Sequence, residues 1–373
     1  MPDEHGQTGS PLEVDRGDRE YIRMHLNENL VFPSSLLRSV TAKCTDRLDP
    51  RYYPDEVGAG EMNTLSLEIG KYCNCSSSSV AIGVGGDQLI DLVFQMASRE
   101  KRRKKGKSPS LILTVDPTFP LYEMFAERLG INFAFLSLKS STAKEPFALD
   151  VNELINFCKA KKPGLVVLAS PNNPTGIQYP LKQISQILDS LPTKTKLLLD
   201  EAYVEFADYD GAKELMRSRG NLVILRTFSK AFALASMRLG YLISANSEYI
   251  REFNGDYQYP YPVARLGVLM AIELLRRKTT VLEYASKTKI FRRELIESLQ
   301  KFSPWLRVTP VSNANFVFLQ SKDSKKIASQ LALKHSILVR HYPRAGGERD
   351  FLRITVGSRE INEKLLYALR RIE

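Results

Sequence analysis

The fold is decided by residues 197–206, LLLDEAYVEF, and by residues 222–240, LVILRTFSKAFALASMRLG. The apolar runs 197–199 and 222–225 have the length and the bounding residues that are typical of buried parallel strands. Each run ends in polar residues, and open α/β sheets bind their ligands at the carboxyl ends of their strands. The pattern therefore predicts an α/β fold with a doubly wound, mostly parallel sheet and a ligand site at its edge.

The polar residues that follow these runs have the chemistry of a pyridoxal-phosphate site. They are a carboxylate, a phenol, two hydroxyls, an amine and a guanidinium, namely Asp200, Tyr203, Thr227, Ser229, Lys230 and Arg238. The amine would attach the cofactor, the carboxylate would keep its ring nitrogen protonated, and the other groups would bind its ring hydroxyl and its phosphate. Alone, the lysine is more often a solvated loop residue and the aspartate a helix N-cap.

Three upstream motifs favour the cofactor site over those simpler interpretations. SPNNPTG (170–176) forms a rigid turn after an apolar run, and it holds Asn173 at a strand end. The GGDQ segment places Gly86 and Asp87 at the start of a predicted helix, where free N–H groups and the helix dipole favour a phosphate. Phe119 follows a third apolar run and could stack on a flat ring.

These motifs, in this order, resemble those of the fold-type I pyridoxal-phosphate aminotransferases of class I/II, which have a large sheet domain and a smaller α/β domain. Within that group the chain is most similar to the histidinol-phosphate aminotransferases. The narrower resemblance is carried by LNEN (26–29), RYYPD (51–55), DEAYVEF (200–206), RTFSKAFALA (226–235) and LRITVG (352–357). It extends from about residue 26 to the C-terminus.

The resemblance implies a role for each residue that matches the motifs. Lys230 would be the Schiff-base lysine and the base that moves the substrate proton, and a lowered pKa would suit it to that task. Asp200 would pair with the ring nitrogen, while Tyr203 and Asn173 would bind the ring hydroxyl. Phe119 would stack on the ring. The phosphate would be held by Gly86, Asp87, Thr227, Ser229 and Arg238.

The resemblance also implies substrate and subunit contacts. Tyr53 would reach the cofactor phosphate of a neighbouring subunit, which implies a homodimer. Arg353 would bind the acidic group of the substrate, Asn29 would contact substrate, and Asn315 would have a supporting role. Arg340 matches a second arginine used on substrate phosphate, but a salt bridge or a solvated strand end is an equally good interpretation of that residue.

The implied reaction passes an amino group between histidinol phosphate and 2-oxoglutarate. Aromatic or dicarboxylic amino acids are alternative substrates, and a related threonine-phosphate decarboxylase is an alternative activity. The chain departs from the family's usual pattern near its N-terminus, where the tyrosine-bearing segment is missing and Tyr21 is the nearest phenol. In addition, the family's proline usually follows LNEN directly, whereas residues 30–32 intervene before Pro33 in this chain. GGDQ replaces the family's usual Gly-Ala-(Ser/Asp)-Glu.

Length and composition predict two domains. The chain has 373 residues, of which 43% are hydrophobic and 25% charged, enough for a large core. We expect a mobile N-terminal arm over residues 1–25, a segment joining the small domain over 26–49, a large cofactor-binding domain over 50–265 and a small domain over 266–373.

Charge, cysteine spacing and hydropathy favour a cytoplasmic enzyme that acts on small molecules. No apolar run is long enough to span a membrane, and the N-terminus is polar. Four cysteines without framework spacing indicate reduced thiols, and Cys73-x-Cys75 has no second ligand pair, so we expect no metal. The net charge of +11 suits anionic ligands. The basic run 101–107 is typical of a solvated helix end rather than of a nucleic-acid site.

Overall fold

The computed structural model describes residues 20–102, 111–139, 147–210, 212–216, 219–302, 305–309, 311–343 and 350–372. The α-helices of these residues are α1 Ser34–Thr45, α2 Gly60–Cys73, α3 Gly85–Arg102, α4 Leu121–Arg128, α5 Val151–Lys161, α6 Leu181–Ser190, α7 Ala212–Met216, α8 Ser247–Glu252, α9 Arg265–Arg276, α10 Lys278–Gln300, α11 Ser324–His335 and α12 Arg359–Leu369. The strands are β1 Ile22–Arg23, β2 Val80–Gly83, β3 Leu111–Asp116, β4 Asn132–Ser137, β5 Leu165–Ala169, β6 Lys196–Asp200, β7 Leu222–Thr227, β8 Gly240–Ile243, β9 Arg307–Val308, β10 Phe316–Gln320, β11 Ile337–Leu338, β12 Arg340–Tyr342 and β13 Phe351–Thr355.

A seven-stranded sheet organises the larger part of the molecule. Its strand order is β2-β8-β7-β6-β5-β3-β4, and all neighbours are parallel except the pairs made by β8. The apolar runs at 197–199 and 222–225 lie in β6 and β7, as the sequence predicts. Because β5, β6 and β7 are parallel neighbours, the residues at their carboxyl ends meet at one edge of the sheet.

Both faces of this sheet are covered, which is why its strands are almost wholly apolar. Successive side chains of a strand point to opposite faces, so Leu197 and Leu199 enter one core while Leu198 enters the other. The first core also contains residues of α2, α5, α6 and α9, and the second contains residues of α3, α4 and α8. The sheet is therefore doubly wound, in agreement with the prediction.

A smaller antiparallel sheet of order β12-β13-β10-β9 lies nearer the C-terminus. Its third core combines residues of β10 and β13 with residues of α10, α11 and α12. The strand β1 pairs in parallel with β11, so that Ile22 lies opposite Ile337. The N-terminal part of the described chain is thereby joined to the C-terminal part.

The packing differs from the predicted domain boundaries at two places. Residues 1–19 of the predicted mobile arm lie outside the described residues, while at its end residues 22–23 form β1 and Met24 is fully buried. The helix α9 packs against α1 and α2, so the large core continues beyond residue 265. The helix α1 lies in the segment 26–49 that was predicted to join the small domain. It packs with α9 instead, because the apolar face of α1 (Val40, Cys44) belongs to the large core.

None of the described helices is long and apolar enough to cross a membrane. The helix α3 ends at Arg102, inside the basic run 101–107. The rest of that run lies outside the described residues, so its predicted role as a solvated helix end stays a prediction.

Candidate active site

One cavity of about 670 Å³ opens at the carboxyl ends of β5, β6 and β7 and is closed on the far side by β12 and β13. Its volume is in the range of small-molecule sites, roughly 300–1,000 Å³. It is lined by most of the residues that the sequence singled out, namely Gly86, Asp87, Phe119, Asn173, Asp200, Tyr203, Thr227, Ser229, Lys230, Arg238, Arg340 and Arg353. Residues that lie up to 267 positions apart in the chain thus share one cavity.

Lys230 is the amine of the cavity. It follows β7, and its Nζ donates a hydrogen bond to the carbonyl oxygen of Leu26 at 3.1 Å and lies 5.6 Å from the ring centre of Tyr203. Burial in the cavity wall and the nearby Arg353 lower the pKa of Lys230 to about 8. The amine is therefore partly neutral near pH 8, and only the neutral form can act as a nucleophile or a base.

Asp200 is the buried carboxyl group at the end of β6. Its Oδ2 accepts a hydrogen bond from the Tyr122 hydroxyl at 2.7 Å, and its Oδ1 accepts one from the N–H of Ala202 at 3.0 Å. Burial raises its pKa above the ordinary aspartate value. No salt bridge joins it to any described residue, so a cation at this point of the cavity would be strongly favoured. A protonated ring nitrogen fits that requirement.

The part of the cavity formed by the start of α3 is suited to a phosphate. Gly85 begins α3 with φ +70°, and a Cβ at this position would lie only 2.9 Å from Nη2 of Arg238. The first N–H groups of a helix have no partner inside it, and they favour an anion. The hydroxyls of Thr227 and Ser229 lie 3.0 Å apart beside this helix start. Arg238 donates to Asp87 at 2.9 Å, which orients the guanidinium at the rim.

The side chains of Tyr203 and Asn173 also line the cavity. The Tyr203 hydroxyl accepts a hydrogen bond from Nδ2 of Asn27 at 2.9 Å, and burial raises its pKa to about 12, so it is a neutral phenol with a proton to donate. Oδ1 of Asn173 accepts from Nη1 of Arg353 at 2.7 Å, which directs its Nδ2 elsewhere. The Phe119 ring lies on the cavity wall, perpendicular to the Tyr122 ring, with 5.5 Å between their centres.

Two arginines face each other across neighbouring strands of the small sheet. Arg340 of β12 is the register partner of Arg353 of β13, so both side chains emerge on the same face of the sheet. Burial and the charge of Arg353 lower the pKa of Arg340, and it forms no salt bridge with any described residue. Like charges directly opposite each other are destabilising. The pair therefore favours an anion between the two guanidinium groups.

Arg353 itself has neutral hydrogen-bond partners. Its Nη1 donates to Asn173 and to the Tyr342 hydroxyl, the latter at 2.9 Å, and its Nη2 donates to the carbonyl oxygen of His25 at 2.6 Å. Its Nε is buried and finds no acceptor among the described residues. One edge of the guanidinium is thus left for an anionic ligand, because a guanidinium fork fits carboxylate and phosphate alike.

The structure does not support the substrate contact predicted for Asn29. Its Nδ2 donates to the carbonyl oxygen of Ala231 at 3.0 Å, and its Oδ1 accepts from the N–H groups of residues 31 and 32. The side chain therefore fixes the turn that follows LNEN, and it is not part of the cavity lining. Tyr53 is 83% exposed, beside Tyr261 and outside the cavity, and its role in a second subunit stays a prediction.

Several residues of the site were missed at the level of sequence. Tyr122 and Tyr342 contact Asp200 and Arg353, and Asn27 contacts Tyr203. Asn27 lies in the LNEN motif two residues before Asn29, and it is Asn27 rather than Asn29 that lines the cavity. Arg23 and Glu28 form an ion pair in the wall of the cavity. Glu28 lies in the LNEN motif but was given no role, and no motif indicated Arg23.

One cavity brings together a lysine with a lowered pKa, a buried carboxyl group, a helix start and an arginine pair. These groups are typical of an α/β enzyme that holds a cofactor and acts on anionic substrates. The family model described as aminotransferase class I and II matches residues 51–372. The chain belongs to this family. The family and the class of enzyme expected from the sequence, an aminotransferase that depends on pyridoxal phosphate, are thereby confirmed.

Curated relatives cover nearly the whole chain. Histidinol-phosphate aminotransferase 1 of Carboxydothermus hydrogenoformans is 34% identical over 355 residues, which cover 94% of this chain and 93% of the relative. Histidinol-phosphate aminotransferase 2 of Archaeoglobus fulgidus is 30% identical over 355 residues, with coverages of 95% and 94%.

Solved structures agree in fold at lower identity. The histidinol-phosphate aminotransferase of Sinorhizobium meliloti, solved in complex with pyridoxal-5'-phosphate, is similar with a TM-score of 0.82, 23% identity and coverages of 95% and 92%. A decarboxylase from Sulfurospirillum multivorans is similar with a TM-score of 0.78, 21% identity and coverages of 95% and 96%. Because the fold is shared by both activities, it does not by itself choose between them.

Proposed function

We propose that the protein is a pyridoxal-phosphate-dependent aminotransferase that transfers the amino group of histidinol phosphate to 2-oxoglutarate, which becomes glutamate. The relatives named above, at 30% and 34% identity, support this substrate. The observation that carries the proposal is the pair Arg340 and Arg353, which face each other in the same cavity as Lys230. One site must accept a phosphate in one half of the reaction and a carboxylate in the other, and guanidinium groups bind both.

The residues present fit the cofactor. Lys230 would attach it, Asp200 would hold the protonated ring nitrogen, and Tyr203 with Asn173 would bind the ring hydroxyl. The phosphate would lie at the start of α3, where Gly86, Asp87, Thr227, Ser229 and Arg238 surround the space. When bound, pyridoxal phosphate supplies an aldehyde that takes up amino groups and a ring that stabilises negative charge on the substrate carbon.

The side chains of the cavity bind the substrate and move its proton. Arg353 and Arg340 hold the acidic group, which fixes the carbon to be deprotonated near Nζ of Lys230. The lowered pKa of Lys230 lets its amine take a proton from that carbon and return it at the next step. Since Asp200 is buried and its pKa is raised, it stabilises a positive charge in contact with it more strongly than an exposed carboxylate would.

The test is a single-turnover absorbance experiment on cofactor-loaded protein, without any keto acceptor. Histidinol phosphate, glutamate, aspartate and phenylalanine are each added, and conversion of the cofactor to its amine form is followed. We expect histidinol phosphate to react most efficiently and glutamate to react as well. If aspartate or phenylalanine reacts best and histidinol phosphate is inert, the substrate is wrong. Release of carbon dioxide from a phosphorylated amino acid would indicate a decarboxylase instead.

The role of Lys230 is tested by a readout that does not depend on turnover. We expect that reduction with borohydride followed by mass spectrometry finds the cofactor on a peptide containing Lys230, and that Lys230→Ala loses both this linkage and the single-turnover reaction. Lys159→Ala, on the surface of α5, is the matched control and should keep both. A cofactor linkage that survives in Lys230→Ala would refute the role.

We propose in addition that the protein works as a homodimer to which Tyr53 contributes across the interface. In support, Tyr52, Tyr53, Tyr259 and Tyr261 are exposed aromatic residues, and Tyr53 and Tyr261 lie 5.3 Å apart between ring centres. An exposed apolar patch of this kind is typical of an interaction surface. Analytical ultracentrifugation tests the proposal: a monomer at micromolar concentration would contradict it. The predicted cytoplasmic location stays a prediction.

A further inference from the structure

Tyr342 lies beside both arginines of the cavity. It is two residues after Arg340 on β12, so the two side chains emerge on the same face of the strand. Its ring lines the cavity, is only 6% exposed and packs edge-on against Phe318, with 5.9 Å between ring centres. Its hydroxyl lies 2.9 Å from Nη1 of Arg353. The phenol is therefore held in one place against the Arg353 guanidinium, on the strand face that also carries Arg340.

The direction of this hydrogen bond leaves the hydroxyl with a proton to donate. A guanidinium only donates, so the Tyr342 oxygen is the acceptor. Nη1 of Arg353 carries two protons, and its second acceptor is Oδ1 of Asn173. A tyrosine hydroxyl can accept and donate at the same time. No described residue forms a second hydrogen bond with the Tyr342 hydroxyl, and its ring faces the cavity.

We propose that Tyr342 determines specificity for a phosphorylated substrate by donating its hydroxyl proton to the phosphate, together with Arg340 and the Nε–H of Arg353. This inference rests on the proposed function and deepens it. A phosphate monoester has three strongly accepting oxygens, and the three donors can each serve one of them. A carboxylate has only two oxygens, and the guanidinium fork of Arg353 is sufficient for both. The loss of the phenol proton should therefore weaken phosphate binding more than carboxylate binding.

The test is Tyr342→Phe, which removes the hydroxyl and keeps the ring that packs against Phe318. For the cofactor-loaded enzyme we expect KM for histidinol phosphate to rise about tenfold or more, the loss typical of one hydrogen bond to a charged group. We expect kcat to stay within about threefold and KM for glutamate to change by less than about threefold. The control is Tyr179→Phe, since the Tyr179 hydroxyl is buried, without a hydrogen-bond partner among the described residues and outside the cavity.

A binding measurement separates this inference from the proposed function. Propyl phosphate and succinate, neither of which carries an amino group, are titrated into the cofactor-loaded wild type and Tyr342→Phe by calorimetry. Weaker binding of propyl phosphate to the variant, with succinate unchanged, supports the role of Tyr342 even if histidinol phosphate proves not to be the substrate. Equal loss for both ligands, no loss for either, or no binding of propyl phosphate to the wild type would overturn it.

Discussion

Two buried arginines, Arg226 and Arg353, show how the same residue type is used for opposite purposes. Both lie on strands, and they are 1% and 6% exposed. Arg226 donates to Glu201 from two nitrogens at 2.9 and 2.6 Å and also pairs with Asp210. Arg353 has only neutral partners and one buried nitrogen without an acceptor among the described residues. The first charge is neutralised by the protein itself, and the second is kept for a ligand.

The strand geometry explains why the paired arginine lies so close to the site without entering it. Asp200 is the register partner of Leu225, so Glu201 follows opposite Arg226 at the ends of β6 and β7. Because side chains alternate along a strand, Glu201 and Arg226 point away from the face that carries Asp200 and Thr227. The ion pair thereby joins the ends of β6 and β7 on the sheet face away from the cavity, while the opposite face carries Asp200 and Thr227.

The largest effect that tests this comparison is expected for Arg226→Met. The substitution leaves Glu201 buried without its cation, which costs about 3–5 kcal/mol in the free energy of unfolding. Urea unfolding followed by circular dichroism measures the change. The double variant Arg226→Met with Glu201→Leu should recover most of the loss, because replacing both partners by apolar residues is often neutral. A loss below about 1 kcal/mol in the single variant would show that the pair does not stabilise the fold.

A smaller and different effect is expected for Arg353→Gln. We predict that kcat/KM for histidinol phosphate and for glutamate falls by a factor equivalent to about 2–4 kcal/mol, because the ligand's anionic group loses a buried charged partner. The free energy of unfolding should change little, since no carboxylate among the described residues depends on this arginine. Arg353→Lys keeps the charge but loses the fork, and it should stay well below the wild type. Wild-type kinetics in Arg353→Gln would place the anion site elsewhere.

The third prediction concerns pH. The pKa of Lys230 is lowered to about 8, so the rate at which cofactor-free protein attaches pyridoxal phosphate should rise with pH and level off above about 8. In the unfolded chain the pKa of Lys230 is near its ordinary value of 10.5, so between pH 8 and 10.5 the unfolded state binds more protons than the folded state. The contribution of Lys230 to the free energy of unfolding therefore increases with pH through that window.

The same measurement compares the two arginines. After burial, the charge of Arg353 is the next cause of the lowered pKa, so Arg353→Gln should move the midpoint upward. Arg226→Met should shift the midpoint much less, because Arg226 is not among the main causes of the lowered pKa of Lys230. If the midpoint of the pH dependence is unchanged in Arg353→Gln, or shifts as much in Arg226→Met, then Arg353 is not the arginine whose charge acts on Lys230, and the contrast between the two arginines is contradicted.

The smallest effect is expected for Asp210→Asn. The side chain of Asp210 is 30% exposed, so solvent screens its attraction to Arg226, and we predict a loss of about 1 kcal/mol or less. Burial alone would raise the pKa of Asp210, but Arg226 and Lys213 lower it overall, so its contribution is present at neutral pH and is lost as the pH falls through its folded pKa. Urea unfolding at neutral and acidic pH checks both statements.

The sequence predicted the groups of the site that lie in short local motifs. Asp200 follows an apolar run directly, and Lys230 and Asn173 follow theirs within about five residues, so strand order alone brings them to the same edge of the sheet. The partners that orient them come from distant parts of the chain, and no local pattern indicates that Tyr122 meets Asp200 or that Tyr342 meets Arg353.

The errors have a similar physical cause. Asn29 and Asn27 are two residues apart in the same motif, and which of them faces the cavity depends on the backbone of Asn27, where φ is +54°. The large core continues past the predicted boundary at residue 265 because α9 is apolar on a face that packs against α1 and α2, elements more than 190 residues earlier in the chain. Periodicity shows that such a face exists, but it does not show which partner covers it.

The pairing of β1 with β11 has a consequence for how the active protein is made. The strand β1 leaves the ribosome first, but Ile337, its partner in the register, is added about 300 residues later, and at about 5–20 residues per second this delay amounts to roughly 15–60 s. Over that interval the segment that carries His25 and Asn27 lacks β11, the strand beside which β1 pairs, although the large sheet that holds Lys230 can be completed once β8 has emerged. The nascent chain can therefore assemble the part of the cavity formed by the large sheet during synthesis. The part formed by β12 and β13, which carry Arg340 and Arg353, can be added only after these last strands emerge.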